Sequence, residues 1–311
     1  GNVVYLLKYI FDKLNINSEI LIFNTKDNFV TNEVPNINYY TYYILQVNFN
    51  NKYYYLDPVN KHISFNSLSP YIVNQEYLRI DNSGNIIKEK FSNQEDIESK
   101  TLVDIYIDDN LKTTFNLKIV LPSHLSSSIK DFVSNQSFDK VKLVFNQFMV
   151  QLLGYIDNFD IKFNNIDNKE IPFEIEMKFS INNYIVKNEK DFIIKELLSK
   201  EFSNGFYNSG LFNNYTMIEQ RETPLKTIFY NNKTIINLKT SKNNQFKQLE
   251  NKELKSDFGY YSIKSEFVNN LLTITSHYKI DMKIIKPEKY NDLKSFSKSI
   301  QDLTNQEIIF N

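Results

Sequence analysis

Residues 42–49 and 52–56 are two runs rich in tyrosine, isoleucine, leucine and valine, parted only by Asn50-Asn51. A two-residue connection is too short for any crossover, so two strands here have one way to pair, as an antiparallel hairpin. Asparagine tolerates the positive φ that such a turn demands of its central residues. Asp57-Pro58 then closes the second strand.

The chain leading into this hairpin has a helical period. Val3, Leu6, Leu7, Ile10, Phe11 and Leu14 share one face of a 3.6-residue repeat, which predicts an amphipathic helix over 3–14 with that stripe turned inward. Ser18 to Asn24 is a short apolar run that suits a buried strand. A polar stretch from Asp81 to Lys100, containing Gly84, marks the first boundary.

Beyond it, Leu102–Ile107 and Thr113–Val120 read as strands, and Phe173–Phe179 alternates with Phe173, Ile175, Met177 and Phe179 on one side. Phe138 to Ile156 carries apolar residues at helical spacing, among them Val141, Phe145 and Met149. From Arg221 onward the pattern is almost wholly β, until a final helix from about Glu288 to Gln301 with Tyr290, Leu293, Phe296 and Ile300 as its stripe. These patterns predict three domains: an α+β domain over 1–82, a mixed, β-rich domain over 83–220, and a β-sandwich with a terminal helix over 221–311.

Composition narrows the function classes. Lysine plus arginine, 36, nearly cancels aspartate plus glutamate, 37, so no overall field draws the protein to nucleic acid. No apolar run approaches the roughly 20 residues that a membrane-spanning helix needs. The chain opens on Gly1-Asn2 where a methionine is expected, which reads as an artificial start. It lacks cysteine, alanine and tryptophan and is crowded with Asn, Lys, Ile, Tyr and Phe, a bias toward AT-rich codons. In so Asn-rich a chain the glycosylation sequons at Asn135, Asn214 and Asn232 are expected by chance.

The order helix, strand, hairpin ending in Leu56-Asp57-Pro58 resembles the core of bacterial transglutaminase-like domains, papain-related proteins with a Cys-His-Asp triad. Val4–Lys8 through Asn15–Asn17 looks like the cysteine helix and its exit, 42–47 like the histidine strand, and 52–58 like the aspartate strand. Arg221–Leu225, Gly259-Tyr260-Tyr261 and Ile285–Tyr290 resemble the C-terminal domain that follows such domains in uncharacterised envelope proteins. The resemblance implies a periplasmic or cell-surface location and a transglutaminase-like α+β fold followed by β-rich domains. It also implies a degenerate triad. The cysteine position falls at or before Gly1 and no cysteine is present, Tyr42 takes the histidine position, and Asp57 matches the aspartate. His62 lies beyond Asp57 on the outgoing chain. An acyl transfer through a thioester needs thiolate and base together, so no catalytic residue is assigned.

Tyr42 can still donate a hydrogen bond to Asp57, but a phenol with a pKa near 10 is no base at neutral pH. The tyrosine runs around Tyr39, Tyr40, Tyr42 and Tyr43, and at Tyr53, Tyr54 and Tyr55, put Tyr43, Tyr53 and Tyr55 forward as cleft aromatics for a sugar or peptide, against ordinary sheet packing. His124 and His277 stand apart from each other, with no metal-ligand spacing. Glu174 with Glu176, and Asp108 with Asp109, read as solvated carboxylates. No metal or cofactor is expected. The reading is a non-catalytic binding or assembly protein of the cell envelope, with a protein or glycan partner. Its rivals are a hydrolase pairing Asp57 with another carboxylate, and a structural subunit with an exposed apolar face on the sandwich or on the Phe138 to Ile156 helix.

Overall fold

The hairpin at Asn50-Asn51 forms, with φ of 52° and 59° at its two central residues. The computed structural model describes residues 2–24, 40–58, 60–69, 72, 75–80, 85–90, 98–198, 216–227, 229–242, 244–281 and 284–311. Tyr39, Gly84 and Asn214 lie outside the described residues. The chain begins with α1 (Asn2–Lys13), β1 (Ser18–Phe23), β2 (Tyr42–Phe49) and β3 (Lys52–Leu56), followed by β4 (Glu76–Ile80) and β5 (Ile86–Lys90). These five strands make one antiparallel sheet in the order β3-β2-β1-β4-β5.

Alternation sends Leu45 and Val47 of β2 to one face of this sheet, where α1 covers them with Val4, Leu7 and Phe11. The opposite face carries Leu21, Phe23, Ile44 and Tyr77, half-roofed by Leu68 and Ile72 from the chain after β3. The helix therefore docks on one flank of the predicted stripe, through Leu7 and Phe11, with Val4 added to them. Val4 is fully buried, whereas Val3, Leu6, Ile10 and Leu14 are exposed. α1 carries apolar residues around more than half its circumference, so periodicity identifies a helix without identifying which side meets the sheet.

The remainder is built on a second, larger sheet. Its strands come from β6 (Ser99–Ile107), β7 (Thr113–Leu121), β8 (Asp157–Asn164) and β9 (Phe173–Ile181). After the short strands β10 (Val186–Asn188), β11 (Asp191–Ile194) and β12 (Leu225–Lys226) come β13 (Tyr230–Thr240), β14 (Lys252–Ser256), β15 (Gly259–Val268) and β16 (Leu271–Ile280). β17 (Ile284–Ile285) and β18 (Ile308–Phe310) follow. The eight long strands run β14-β15-β16-β13-β6-β7-β9-β8, antiparallel except where β13 lies parallel to β6. The short ones form β10-β11-β18 and β12-β17.

Registers align the apolar positions across this sheet: Ile236 faces Val103, Val103 faces Leu117, and Leu117 faces Met177. The buried face is covered by α2 (Ser123–Asn135) with Ile129, α3 (Phe138–Leu153) with Val141, Phe145 and Met149, and α4 (Tyr290–Thr304). α4 buries the four residues that the helical period predicted, Tyr290, Leu293, Phe296 and Ile300, together with Leu303. Among the described residues no helix is long and apolar enough to cross a membrane.

This architecture overturns the expected fold class. The resemblance implies a transglutaminase-like α+β domain followed by β-rich domains that end in a β-sandwich with a C-terminal helix. Among the described residues the protein is instead mostly β, 44% strand against 23% helix, with four α-helices and large sheets. The strands after Arg221 do not close on themselves as a sandwich. β13 continues the sheet begun by β6, with the Ser99 hydroxyl bonded to Asn232 Oδ1 at 2.8 Å and to the Asn231 carbonyl at 3.2 Å. Local alternation shows which side of a strand is apolar but not which distant strand supplies its neighbour.

Candidate functional site

β2 and β3 carry Tyr42 and Asp57 to the sheet face opposite α1. The Tyr42 hydroxyl donates to Asp57 Oδ2, and its ring packs beside Phe23, Ile44 and Leu68. Burial, first, and then the Asp57 carboxylate push this phenol far above its usual range, with a hydrogen bond to Ser69 pulling weakly the other way. Tyr42 is thus a proton donor locked onto a carboxylate, not a base. Tyr43, one residue on, points to the other face and packs beneath α1, its ring 6.3 Å from that of Tyr5. His62 sits with Lys61 beside Asp131, its Nε2 3.5 Å from that carboxylate, and burial is the main cause of its lowered pKa.

The loop that carries Leu68 and Ile72 roofs only part of the face. It is fixed to β3 by Asn66, whose Oδ1 accepts the Tyr55 backbone N–H at 3.0 Å. The open part is a groove of about 350 Å³. Asn17 precedes it, and β1 contributes Ser18 and Glu19, β2 Gln46 and Asn48, β3 Tyr53 and Tyr55, β4 Tyr77 and Arg79, and β5 Glu89. Of the three candidate cleft aromatics, Tyr53 and Tyr55 line this groove, and Tyr43 does not.

A network holds the floor. Arg79 donates through Nη1 to Glu19 Oε1 at 2.9 Å and through Nη2 to Glu89 Oε1 at 3.0 Å. Tyr77 donates to Glu89 Oε2 at 2.5 Å. Accepting first from Tyr77 and then from Arg79 holds the Glu89 carboxyl below the usual range, while burial, followed by Glu89, raises Tyr77. Gln46 Nε2 donates to the Tyr55 hydroxyl at 3.2 Å. Glu19, Tyr77, Arg79 and Glu89 escaped the reading of the sequence because three strands distant along the chain bring them together. Two signals mark them in retrospect, the lone carboxylate Glu19 in an apolar run and the Tyr77-Leu78-Arg79 alternation.

The other candidates occupy ordinary settings. Glu174 and Glu176 lie on the solvated side of β9, where Lys118 reaches them at 2.9 and 3.9 Å. Asp108 Oδ1 accepts the backbone N–H of Asn110 and of Lys112 in a turn, and Asp109 accepts from Ser241. His277 contacts Asn231 Oδ1 at 2.7 Å, and His124 is buried in the first turn of α2. Asn232 is buried within β13, bonded to Ser99 and Thr234, so its sequon is closed to modification in the folded chain. No group of three or more His, Asp or Glu placed to hold a metal occurs among the described residues.

A family model described as "Domain of Unknown Function with solved-structure structure (DUF3858)" matches residues 191–310, from the start of β11 to the end of β18. The strands at its two ends pair with each other, Phe192 against Phe310. The chain is also similar to a crystal structure named as a "putative protease" from Parabacteroides distasonis, with a TM-score of 0.50 and 11% identity. That likeness covers 99% of this chain and 43% of the other, so the chain spans less than half the length of that structure, and at this identity it speaks to fold alone. No curated protein matches.

Proposed function

We propose that this protein is a non-catalytic binding or assembly protein of the cell envelope, whose recognition surface is the open half of the small sheet. The Tyr42–Asp57 hydrogen bond carries the reading. In the resemblance to transglutaminase-like domains Tyr42 occupies the histidine position, and a half-buried phenol that holds its proton beside a carboxylate cannot accept one from a nucleophile. The chain has no cysteine to serve as that nucleophile. A hydrolase pairing Asp57 with a second carboxylate gains no support from a phenol as the partner.

The test is an amine-incorporation and peptide-hydrolysis assay on the wild type beside Asp57→Ala and Tyr42→Phe. No turnover is expected in any of the three. Turnover in the wild type that either substitution abolishes would overturn the reading.

A second reading, a structural subunit of a larger assembly, draws on the exposed Val3, Leu6 and Ile10 of α1 and Leu14 just after it. Sedimentation velocity distinguishes it: self-association that Leu6→Lys disperses would favour this reading.

A further inference from the structure

We propose that the open groove on the small sheet binds a short neutral saccharide, with a sugar ring stacked on Tyr53. This rests on the reading of the chain as a binding protein and adds the class of ligand.

Charge is the first argument. The charged side chains lining the groove are Glu19, Arg79 and Glu89, and the one guanidinium lies between the two carboxylates. The cation is fully engaged, so the floor offers no spare positive charge to a phosphate or carboxylate. Tyr77 adds a neutral donor to the same network. Locked in this way, the floor is rigid and polar and keeps one net negative charge, which disfavours anionic ligands and admits neutral hydrogen-bonding ones.

Side-chain amides are the second. Gln46 and Asn48 alternate with Leu45 and Val47 along β2, so they stand on the face opposite α1 and line the groove together with Asn17. Each amide can both donate and accept, as a ligand hydroxyl can.

The aromatic wall is the third. Tyr53 stands 59% exposed at the groove, presenting an apolar ring beside polar groups. A sugar has that same two-sided character, with C–H faces to lie on a ring and hydroxyls to meet amides. The volume of about 350 Å³ is within the range of small-ligand sites.

The rival occupant is an extended peptide added as a further strand beside β3. That mode needs outward-facing backbone groups to pair with. The Tyr55 N–H on this edge is already taken by Asn66 Oδ1. Asn66 thus takes one of the outward groups a strand would need beside Tyr55, while the face stays open to a ligand held by side chains.

The experiment titrates the purified chain with neutral gluco-, galacto- and manno-configured disaccharides, with sialyllactose as an anionic probe and tetra-alanine as a peptide probe. Saturation-transfer NMR reports contact, and tyrosine emission reports affinity, since no tryptophan obscures it. At least one neutral disaccharide is expected to bind. Tyr53→Ala should weaken it about tenfold or more, Tyr53→Phe should retain it, and Asn48→Ala should weaken it by a smaller factor. Tyr9→Ala, on the exposed side of α1, should change nothing. Binding of none of the neutral sugars, binding indifferent to Tyr53→Ala, or binding of the peptide or anionic probe alone would each overturn the saccharide assignment. With the acyl-transfer assays still silent, such a result removes the ligand class and leaves the binding reading standing. Turnover in those assays removes the binding reading whatever the sugars do.

Discussion

Gly259 at the start of β15 lies so close to the neighbouring strand that a methyl group on it would sit 2.1 Å from the Lys279 carbonyl oxygen. That oxygen belongs to backbone paired along the whole of β15 and β16, so it cannot swing aside as a side-chain tip would. Gly259→Ala should therefore destabilise the protein by about 3 kcal/mol or more, through forced separation of the two strands. Gly154, after α3, is the control. It has φ +86° and ψ −157° with nothing within 4 Å of an added methyl, so Gly154→Ala carries only the backbone term of about 1–3 kcal/mol. Urea midpoints of the two variants check the order. Equal losses would mean that the sheet yields at Gly259.

His124 is buried in the first turn of α2, and its Nε2 has no hydrogen-bond partner among the described residues. Burial lowers its pKa from 6.5 to about 3. The sign follows from proton counting. Between these two values the unfolded chain holds a proton that the folded chain refuses, so stability is complete above pH 6.5 and falls as the pH drops toward 3. The full effect of this one group is at most roughly 5 kcal/mol. His124→Phe should flatten the acid limb of a plot of stability against pH over that interval. An unchanged limb would show that other groups govern acid unfolding.

Local chemistry made several elements legible. Asn50-Asn51 fixed the β2–β3 register because two residues allow one kind of turn, and Tyr290, Leu293, Phe296 and Ile300 located α4 because a single narrow stripe leaves one side to bury. Strands β6, β7 and β9 were readable for a similar reason, with Val103, Ile105 and Ile107, then Phe115, Leu117 and Ile119, then Phe173, Ile175, Met177 and Phe179 at alternate positions. What could not be read was partnership. The parallel pairing of Ser99 with Asn232 joins residues 133 apart in sequence, and nothing local distinguishes it from a sandwich closing on itself. The groove failed to appear for the same reason: Glu19, Arg79 and Glu89 form one network only after β1, β4 and β5 align. Tyr42 and Tyr43 could be assigned to opposite faces by alternation, but which face α1 would cover was not decided by their identities.

The stripe that α1 uses makes its own prediction. Val4 is wholly buried against Leu45 and Val47, so Val4→Ala should cost about 1–3 kcal/mol. Leu6 is 60% exposed, and Leu6→Lys should change the stability of an isolated chain by no more than about 0.5 kcal/mol. Thermal unfolding of both variants, run dilute, checks the contrast. A large loss from Leu6→Lys that grows with protein concentration would place that side of the helix in a contact between molecules.

Tyr42 and Asp57 are coupled, and removing one partner should cost more than removing both. Tyr42→Phe deletes the hydrogen bond while keeping the ring among Phe23, Ile44 and Leu68, and leaves a part-buried carboxylate oxygen without this donor. The expected loss is about 1.5–3 kcal/mol, the range for a hydrogen bond to a charged group. Asp57→Leu alone strands the phenol, whereas the double variant removes both polar groups and should recover part of either loss. Alkaline titration supplies an independent readout. Burial first, and Asp57 second, raise the Tyr42 phenol far above its usual 10.0, and burial likewise raises Tyr77 and Tyr184. An unfolded chain releases these protons above pH 10 while the folded one keeps them, so stability should decline as pH climbs past 10. In an ultraviolet titration of the folded protein these three tyrosines should ionise last. Asp57→Leu should move one of them down, though not to its ordinary value, because burial remains. If that variant leaves the late-ionising group unchanged and the double-mutant cycle shows no coupling, the Tyr42–Asp57 bond does not persist in solution, and the argument that this phenol has replaced a catalytic base loses its footing.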